Sequence, residues 1–267
     1  MNAPWLSEVA WQRTIAHEDK TFRWGRIGLD YVGEWLGLLL LRLDANGEMK
    51  TVMGAPDASQ ATFEKITHGE GAAFARFIRG KVSLHASAVE IDGAAMVLVG
   101  ESGAGKSTVA FWLCASHGAA LLADDIAGLD LAGDRVFVDP LERALWLDDG
   151  DGAKRPRAMR VAERSVGIGG LVHMGFNDRL SEPELRVLRG ASSVKRVLDA
   201  ALRFDVGSTT WTSEFEVSTA LAASAPVWDL ERPTSATPGQ IAELVASLAQ
   251  SAPLRESDSR TIGKSFG

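Results

Sequence analysis

The sequence predicts an α/β protein whose core is built around a phosphate-binding loop and is preceded by a small β-rich unit. An apolar run, Ala94–Val99, leads into Gly100-Glu101-Ser102-Gly103-Ala104-Gly105-Lys106-Ser107. Residues 107–116 then repeat apolar side chains at helical spacing, so the loop joins a strand to a helix. Before this, the first eighty residues alternate short apolar runs with turn residues, a pattern typical of β-strands.

The β-rich unit is predicted to span residues 1–80, with a core domain over 81–250 and a mobile tail over 251–267. Within the first unit, Asn46-Gly47 lies between two apolar runs and predicts a hairpin turn. The predicted strands are 21–24, 27–32, 35–43 and 49–53, followed by a helix from about Ala61 to Arg79.

Turn residues divide the core domain into short apolar segments. Asp92-Gly93 predicts a second hairpin, and Gly118 lies where a helix would end. The predicted strands are 82–89, 94–99, 120–123, 126–131, 136–138, 165–174 and 227–230, and the predicted helices are 107–116, 182–204 and 237–249.

Two features of the core domain each allow two interpretations. The basic stretch 154–164 is either a flap that meets phosphates or an acidic peptide, or a solvated loop. Trp146, Trp211 and Trp228 either pack in the core or line a peptide groove.

Charge and composition exclude several classes of function. The chain has 267 residues, a net charge of -7 and 46% hydrophobic residues, an ordinary mix for a folded protein. An acidic chain repels a phosphate backbone, so no nucleic-acid partner is expected. The single cysteine, Cys114, cannot form an intramolecular disulfide and is expected to be a small buried hydrophobe. We find no secretory signal and no apolar run of about 20 residues, so a cytoplasmic protein without a membrane partner is expected.

The phosphate-binding loop carries the most specific chemistry. Its glycines let backbone N–H groups turn inward around an anion, and the following helix adds a partial positive charge at its N-terminus. In this pattern Lys106 reaches the β- and γ-phosphates, and the hydroxyl of Ser107 binds Mg²⁺. The predicted cofactors are therefore ATP and Mg²⁺. The predicted nucleotide-binding residues are Gly100, Ser102, Gly103, Ala104, Gly105, Lys106, Ser107 and Thr108.

Two further features lie close to the loop in the sequence. Asp124 and Asp125 follow the apolar run 120–123, and carboxylates at the end of a strand suit metal binding or proton abstraction beside phosphates. Paired carboxylates in a cleft also raise each other's pKa. His85 lies in the predicted strand 82–89, where a single histidine is either a functional group or a packed residue.

Taken together, these motifs resemble a known family. In this order, His85-Ala86-Ser87-Ala88-Val89, the phosphate loop and Leu122-Ala123-Asp124-Asp125 are similar to the catalytic domain of the HPr kinase/phosphorylase family. Its members are bacterial serine kinases, and their fold resembles phosphoenolpyruvate carboxykinase. The resemblance covers about Val82 to Asp125 and implies a P-loop kinase core. The family's later Arg-Gly-Leu-Gly run is not present, and only about eighty unlike residues precede the core.

The resemblance also implies roles for individual residues. Within the aspartate pair, Asp125 corresponds to the residue that takes the proton from the substrate serine. His85 corresponds to the family's active-site histidine. The implied catalytic residues are His85, Lys106, Asp124, Asp125 and Arg203, and the implied metal ligands are Ser107, Asp124 and Glu163.

The sequence-based hypothesis is a kinase that transfers a phosphoryl group from ATP to a serine of a peptide or small protein. Short proteins of this build are similar to the kinases that modify lasso-peptide precursors, so such a precursor is one predicted acceptor. Two alternatives stay open: a small-molecule kinase on the same scaffold, and a nucleotide-sensing regulator that transfers nothing. The resemblance also favours a homo-oligomer.

Overall fold

The computed structural model describes residues 3–17, 20–141, 144–148, 154–205 and 208–251. Within these ranges the strands form a five-stranded N-terminal sheet, an eight-stranded central sheet and a two-stranded hairpin. Helices are interspersed among them, so the predicted α/β class is confirmed. The tail predicted at 251–267 lies outside the described residues from 252 onward.

The N-terminal sheet is an antiparallel meander whose strands pair in chain order. At the predicted Asn46-Gly47 turn, Gly47 has a φ of 74°, which a residue without Cβ adopts at little cost. Two helices joined by a π-helical turn follow, where one helix was predicted. The elements are β1 (Ala10–His17), β2 (Lys20–Ile27), β3 (Asp30–Trp35), β4 (Leu39–Leu43), β5 (Met49–Gly54), α1 (Gln60–Ile66) and α2 (Ala72–Ile78).

The central sheet and the small hairpin comprise the remaining strands. They are β6 (Val82–Ile91), β7 (Ala94–Val99), β8 (Ala120–Ala123), β9 (Ile126–Ala132), β10 (Arg135–Asp139), β11 (Ala144–Asp148), β12 (Lys154–Ala158), β13 (Val166–Phe176), β14 (Glu184–Leu188) and β15 (Val227–Arg232). The order in the central sheet is β10-β9-β6-β7-β13-β15-β14, with β8 paired to β6. Strands β7, β13 and β15 run parallel, and β11 pairs with β12.

Helices cover both faces of the central sheet. Helices α3 (Lys106–Ser116) and α6 (Pro238–Ser251) pack on one face, where Leu113 and Ile241 join a buried cluster with Leu98. Helices α4 (Ala191–Asp199) and α5 (Ser208–Ser224) cover the other face, which buries Val97 with Leu221. In the described part of the chain, no helix is both long and apolar enough to cross a membrane.

The prediction of a mostly helical segment over 182–204 is partly wrong. Residues Glu184–Leu188 form edge strand β14, and only Ala191–Asp199 is helical. Leu185 and Val187 alternate with polar residues at the period of a strand, and Gly190 separates the strand from the helix. Helix α5 was not predicted because its first half is rich in Ser and Thr, which favour helices weakly.

The N-terminal sheet and helix α2 contact the rest of the chain through an aromatic cluster. The ring of Phe204 lies 5.3 Å from the rings of both Phe22 and Phe74, measured between centroids. The buried guanidinium of Arg76 on α2 adds ion pairs to Asp130 at 2.6 Å and to Asp139 at 2.7 Å. These contacts bring α1 and the N-terminal sheet beside the edge of the central sheet that carries the phosphate loop.

Candidate active site

The central sheet gathers the predicted site residues at one edge. Strand β7 ends at Val99, directly before the phosphate loop, and Val99 pairs with Ala86 of β6. His85 is the next residue of β6 toward that edge. Strand β8 is also antiparallel to β6 and therefore delivers Asp124 and Asp125 to the same edge. The phosphate loop, His85 and the aspartate pair therefore lie at the same end of the sheet.

The phosphate loop has three glycines whose backbone conformations L-residues rarely adopt, including Gly103 with a φ of 81°. Gly100 and Gly105 have φ values of 150° and 83°, in the range that L-residues rarely adopt. A Cβ on Gly100 would collide with the carbonyl oxygen of Met174, and one on Gly105 would lie 2.7 Å from Nη2 of Arg232. The loop is therefore held tightly against β13 and β15, the strands that carry these two residues.

Two cations fix the loop. Lys106 begins α3 and is 6% exposed, and its Nζ donates to the carbonyl oxygens of Gly100 at 2.8 Å and Glu101 at 3.1 Å. The buried Arg232 donates from Nη2 to the carbonyl oxygen of Ala104 at 3.1 Å. Burial lowers the pKa of Arg232 from its usual value. A lysine at a helix N-terminus next to such a loop suits phosphate binding.

Asp124 is completely buried behind the loop. Its Oδ1 accepts a hydrogen bond from the hydroxyl of Ser87 and its Oδ2 accepts one from the backbone N–H of Trp146, both at 2.8 Å. A further hydrogen bond joins it to Ser107. Burial, followed by the charge of Asp125, raises the pKa of Asp124. In P-loop NTPases an aspartate and the loop serine hold the magnesium ion together. Asp124 and Ser107 are joined by a hydrogen bond in this structure.

Asp125 points a different way from its neighbour. Its φ of 68° lies in the left-handed region, which aspartate and asparagine tolerate better than most residues. Its carboxylate lines the cavity, and Oδ2 lies 2.7 Å from Nζ of Lys65 on α1. That ammonium lies 5.8 Å from the ring centroid of Trp146. The adjacent carboxylates therefore have different surroundings, one buried behind the loop and one in the cavity.

His85 lines the same cavity as Asp125. Its backbone N–H donates to the carbonyl oxygen of Ala200 at 2.8 Å, and its Cα pairs with Ile126 of β9. Because Ile126 directly follows Asp125, this register places His85 on the strand that neighbours the aspartate pair. The histidine is half-buried and lines the same cavity.

A cavity of about 1160 Å³ joins these residues. One wall is the phosphate loop. The opposite wall comes from the N-terminal unit and includes Ile15, Lys20, Trp35, Lys65 and Glu70. Pockets for one small ligand usually measure roughly 300–1,000 Å³, so this cavity has room for a nucleotide and part of a second molecule.

Most of the predicted site residues line this cavity. They are His85, Gly100, Ser102, Gly103, Gly105, Lys106, Ser107, Thr108, Asp125 and Arg203. Ala104 and Asp124 are buried directly behind it. Glu163 is exposed and is not among the lining residues, so the structure does not bring this predicted metal ligand to the site.

Arg203 lines the cavity with its guanidinium already paired. It donates to Oε2 of Glu214 at 2.7 Å and to the carbonyl oxygen of Leu198 at 2.8 Å, and it lies 4.7 Å from the ring of Trp211.

Among the tryptophans, Trp146 lines the cavity, Trp228 is buried in the core, and Trp211 is exposed. The basic stretch contributes β12, whose partner strand β11 carries Trp146.

Three residues at this edge were not singled out in the sequence. Nδ1 of His173 lies 3.2 Å from Oδ1 of Asp229, and Nη2 of Arg196 lies 2.9 Å from the same oxygen. Burial and the charge of Arg196 lower the pKa of His173, although Asp229 opposes this shift. His173 and Asp229 each lie near the end of a predicted strand, 165–174 and 227–230, and that is the sequence signal that could have found them. The cluster depends on the pairing of β13 with β15, which spacing along the chain does not give.

The side chains fit a magnesium ion bound together with phosphates better than a metal bound by protein alone. Among the described residues, no group of three or more His, Cys, Asp or Glu side chains is arranged to hold a metal. Magnesium commonly takes one or two carboxylates and completes its ligands with substrate phosphates and water. The hydrogen-bonded pair of Ser107 and Asp124 is a donor set of that limited kind.

Comparison with known proteins adds little information about the function of this chain. No protein-family model matches the sequence, and neither does any curated protein. Among solved structures, the chain is similar to the Hpr(Ser) kinase/phosphatase from Coxiella burnetii, with a TM-score of 0.37 and 13% sequence identity. The similarity covers 63% of this chain and 94% of that one. Because a TM-score of 0.37 does not establish a shared fold, the function must rest on the chemistry of the cavity.

Proposed function

We propose that this protein is an ATP- and magnesium-dependent kinase that phosphorylates a serine hydroxyl of a peptide or small protein. The observation that supports it is that the phosphate loop, with Lys106 and Ser107, and the carboxylate of Asp125 line one cavity. A phosphate loop alone serves nucleotide binding. Transfer to a hydroxyl also calls for a group that accepts the hydroxyl proton, and Asp125 is positioned to be that group.

At the nucleotide wall, the chain's own groups bind and orient. Backbone N–H groups of Gly103–Ser107 and the ammonium of Lys106 would hold the β- and γ-phosphates. Ser107 and Asp124 would hold Mg²⁺, which supplies charge neutralisation on the phosphates when it is bound. Arg232 keeps the loop in place through its hydrogen bond to the carbonyl oxygen of Ala104.

On the other side, the acceptor serine would lie between Asp125 and the phosphate loop. Asp125 would take the hydroxyl proton while the serine oxygen bonds to the γ-phosphorus and the bond to the leaving β-phosphate oxygen breaks. His85, which lines the same cavity, would help to hold the reacting groups. The N-terminal wall, with Ile15 and Lys20, would bind the rest of the acceptor, because the nucleotide takes the phosphate loop. Such catalysis consists mainly of positioning and charge stabilisation.

Two other functions use the same scaffold. A nucleotide sensor needs no proton acceptor, so the placement of Asp125 in the cavity favours transfer over sensing. A small-molecule kinase needs the same groups and a smaller acceptor site. The space beyond the loop favours a peptide acceptor, and a lasso-peptide precursor is one candidate of this chemistry.

The test is intact-mass analysis of serine-ended precursor peptides and of HPr after incubation with the protein, ATP and Mg²⁺. The Lys106→Ala variant is the control. A gain of one phosphate mass on one acceptor, absent in the control, supports the kinase and identifies its acceptor class. If ATP binds and no peptide or protein gains phosphate, the peptide-kinase proposal is wrong, and a panel of small hydroxy compounds separates the two alternatives.

A further inference from the structure

The N-terminal unit contributes one charged contact to the aspartate that the proposed kinase uses as its proton acceptor. Nζ of Lys65 lies 2.7 Å from Oδ2 of Asp125. Arg196 and Arg203 line the same cavity but pair with Asp229 and Glu214. The lysine comes from α1, whereas the aspartate follows β8, so the contact joins the two halves of the molecule.

Stability alone does not account for this ion pair. The two side chains are 27% and 22% exposed, and partly exposed pairs contribute little to folding. The two units are already joined by the aromatic cluster of Phe22, Phe74 and Phe204. The role of this ion pair therefore lies in its effect on the carboxylate of Asp125.

The surroundings of Lys65 leave its ammonium little freedom. On one side lies the carboxylate, and on another lies the ring of Trp146 at 5.8 Å. The backbone N–H of Trp146 in turn donates to Asp124. Helix α1, strand β11 and the aspartate pair are thus connected through Lys65 and Trp146.

We propose that Lys65 is a positioning residue, which holds the carboxylate of Asp125 in the orientation that receives the serine proton. The inference rests on the proposed kinase function and extends it, because the N-terminal unit then completes the active site. A proton acceptor must lie within hydrogen-bond reach of its hydroxyl. Misplacing a reacting group by about 1 Å can cost about 100-fold in rate.

The test compares Lys65→Met, Lys65→Arg and a matched control, Lys81→Met. Lys81 also lies 2.7 Å from an aspartate, Asp130, but it does not line the cavity, and Asp130 keeps its partner Arg76. We expect Lys65→Met to lower kcat about 10- to 100-fold. KM for ATP should stay unchanged, and Tm should fall by a few degrees at most. Lys65→Arg should recover most of the rate, and Lys81→Met should keep all of it.

A double-mutant cycle separates positioning from a structural effect. If Lys65 acts through Asp125, then Lys65→Met should cause no further loss of kcat in an Asp125→Asn background. Additive losses, or full activity of Lys65→Met, would overturn the inference and leave the kinase proposal intact. A wild-type protein that binds ATP and phosphorylates no acceptor would overturn both.

Discussion

The two walls of the cavity are built in different ways. The proposed nucleotide wall comes from one continuous stretch, Gly100–Thr108, which offers backbone N–H groups and the first turn of α3. The N-terminal wall comes from β1, β2, β3 and α1, and its lining includes side chains such as Ile15, Lys20 and Lys65. The first wall depends on local backbone geometry, and the second depends on how two sheets pack.

This difference has a consequence for specificity. The phosphate loop tolerates little change, because Gly100 and Gly105 have positive φ and a side chain at Gly100 would collide with the carbonyl oxygen of Met174. The N-terminal wall can exchange side chains without altering the loop, since none of its strands pairs with the central sheet. We therefore expect substitutions on the two walls to separate nucleotide binding from acceptor binding.

The largest effect is expected at Asp125, which lies between the walls. Asp125→Asn should lower kcat by about 10²–10⁴ and leave ATP affinity unchanged, because the amide cannot accept the hydroxyl proton. Asparagine also tolerates the left-handed backbone. The matched control is Asp92→Asn, at the other non-glycine residue with positive φ, in the exposed β6–β7 turn. Initial rates at saturating ATP measure the effect, and full activity would remove Asp125 from the mechanism.

The next largest effect is expected on the nucleotide wall. Lys106→Ala removes the cation of the loop and should reduce ATP affinity by about 10²–10³, the usual cost of losing one preorganised charged contact. Calorimetric titration with ATP and Mg²⁺ measures the affinity, with the exposed Lys195→Ala as control. Peptide binding to the same variant should be normal. Loss of peptide binding along with ATP binding would show that the walls are not independent.

The nucleotide wall could be predicted from the sequence because its parts are contiguous. The strand, the Gly100–Ser107 loop and the helix follow one another, and Asp124-Asp125 come directly after the next strand. The antiparallel β6–β7 hairpin, marked by Asp92-Gly93, then placed His85 at the same edge. In this region, the spacing along the chain and the pairing of the strands bring the same residues together.

The N-terminal wall could not be predicted in this way. A lysine in a short helix carries no signal of its own, and the contact of Lys65 with Asp125 depends on how α1 packs on the core domain. The cluster of His173, Arg196 and Asp229 likewise depends on the pairing of distant strands. Strand β14 was mistaken for helix because a short segment of mixed polarity fits either period.

A smaller effect is expected on the N-terminal wall. Ile15→Ser removes an apolar surface from the cavity and should raise KM for a peptide acceptor about tenfold, within the range for losing one hydrophobic contact. ATP affinity should not change. Leu29→Ser is the control, because Leu29 is 75% exposed and does not line the cavity. Steady-state kinetics with varied peptide measure this effect. An unchanged KM for peptide would mean that the acceptor binds elsewhere.

The smallest effect concerns stability and tests whether the surroundings of His173, which pairs with Val99 directly before the phosphate loop, respond to pH. Burial and the charge of Arg196 lower the pKa of His173 below 6.5, against the opposing charges of Asp229 and Glu101. Below pH 6.5 the unfolded chain therefore binds more protons at this residue than the folded chain. The stability of the wild type should consequently fall as pH drops from 6.5 through the folded pKa, and that of His173→Gln should fall less. Urea unfolding at several pH values measures the difference, with the exposed His68→Gln as control. Parallel curves for wild type and His173→Gln would mean that the folded environment does not penalise the protonated ring.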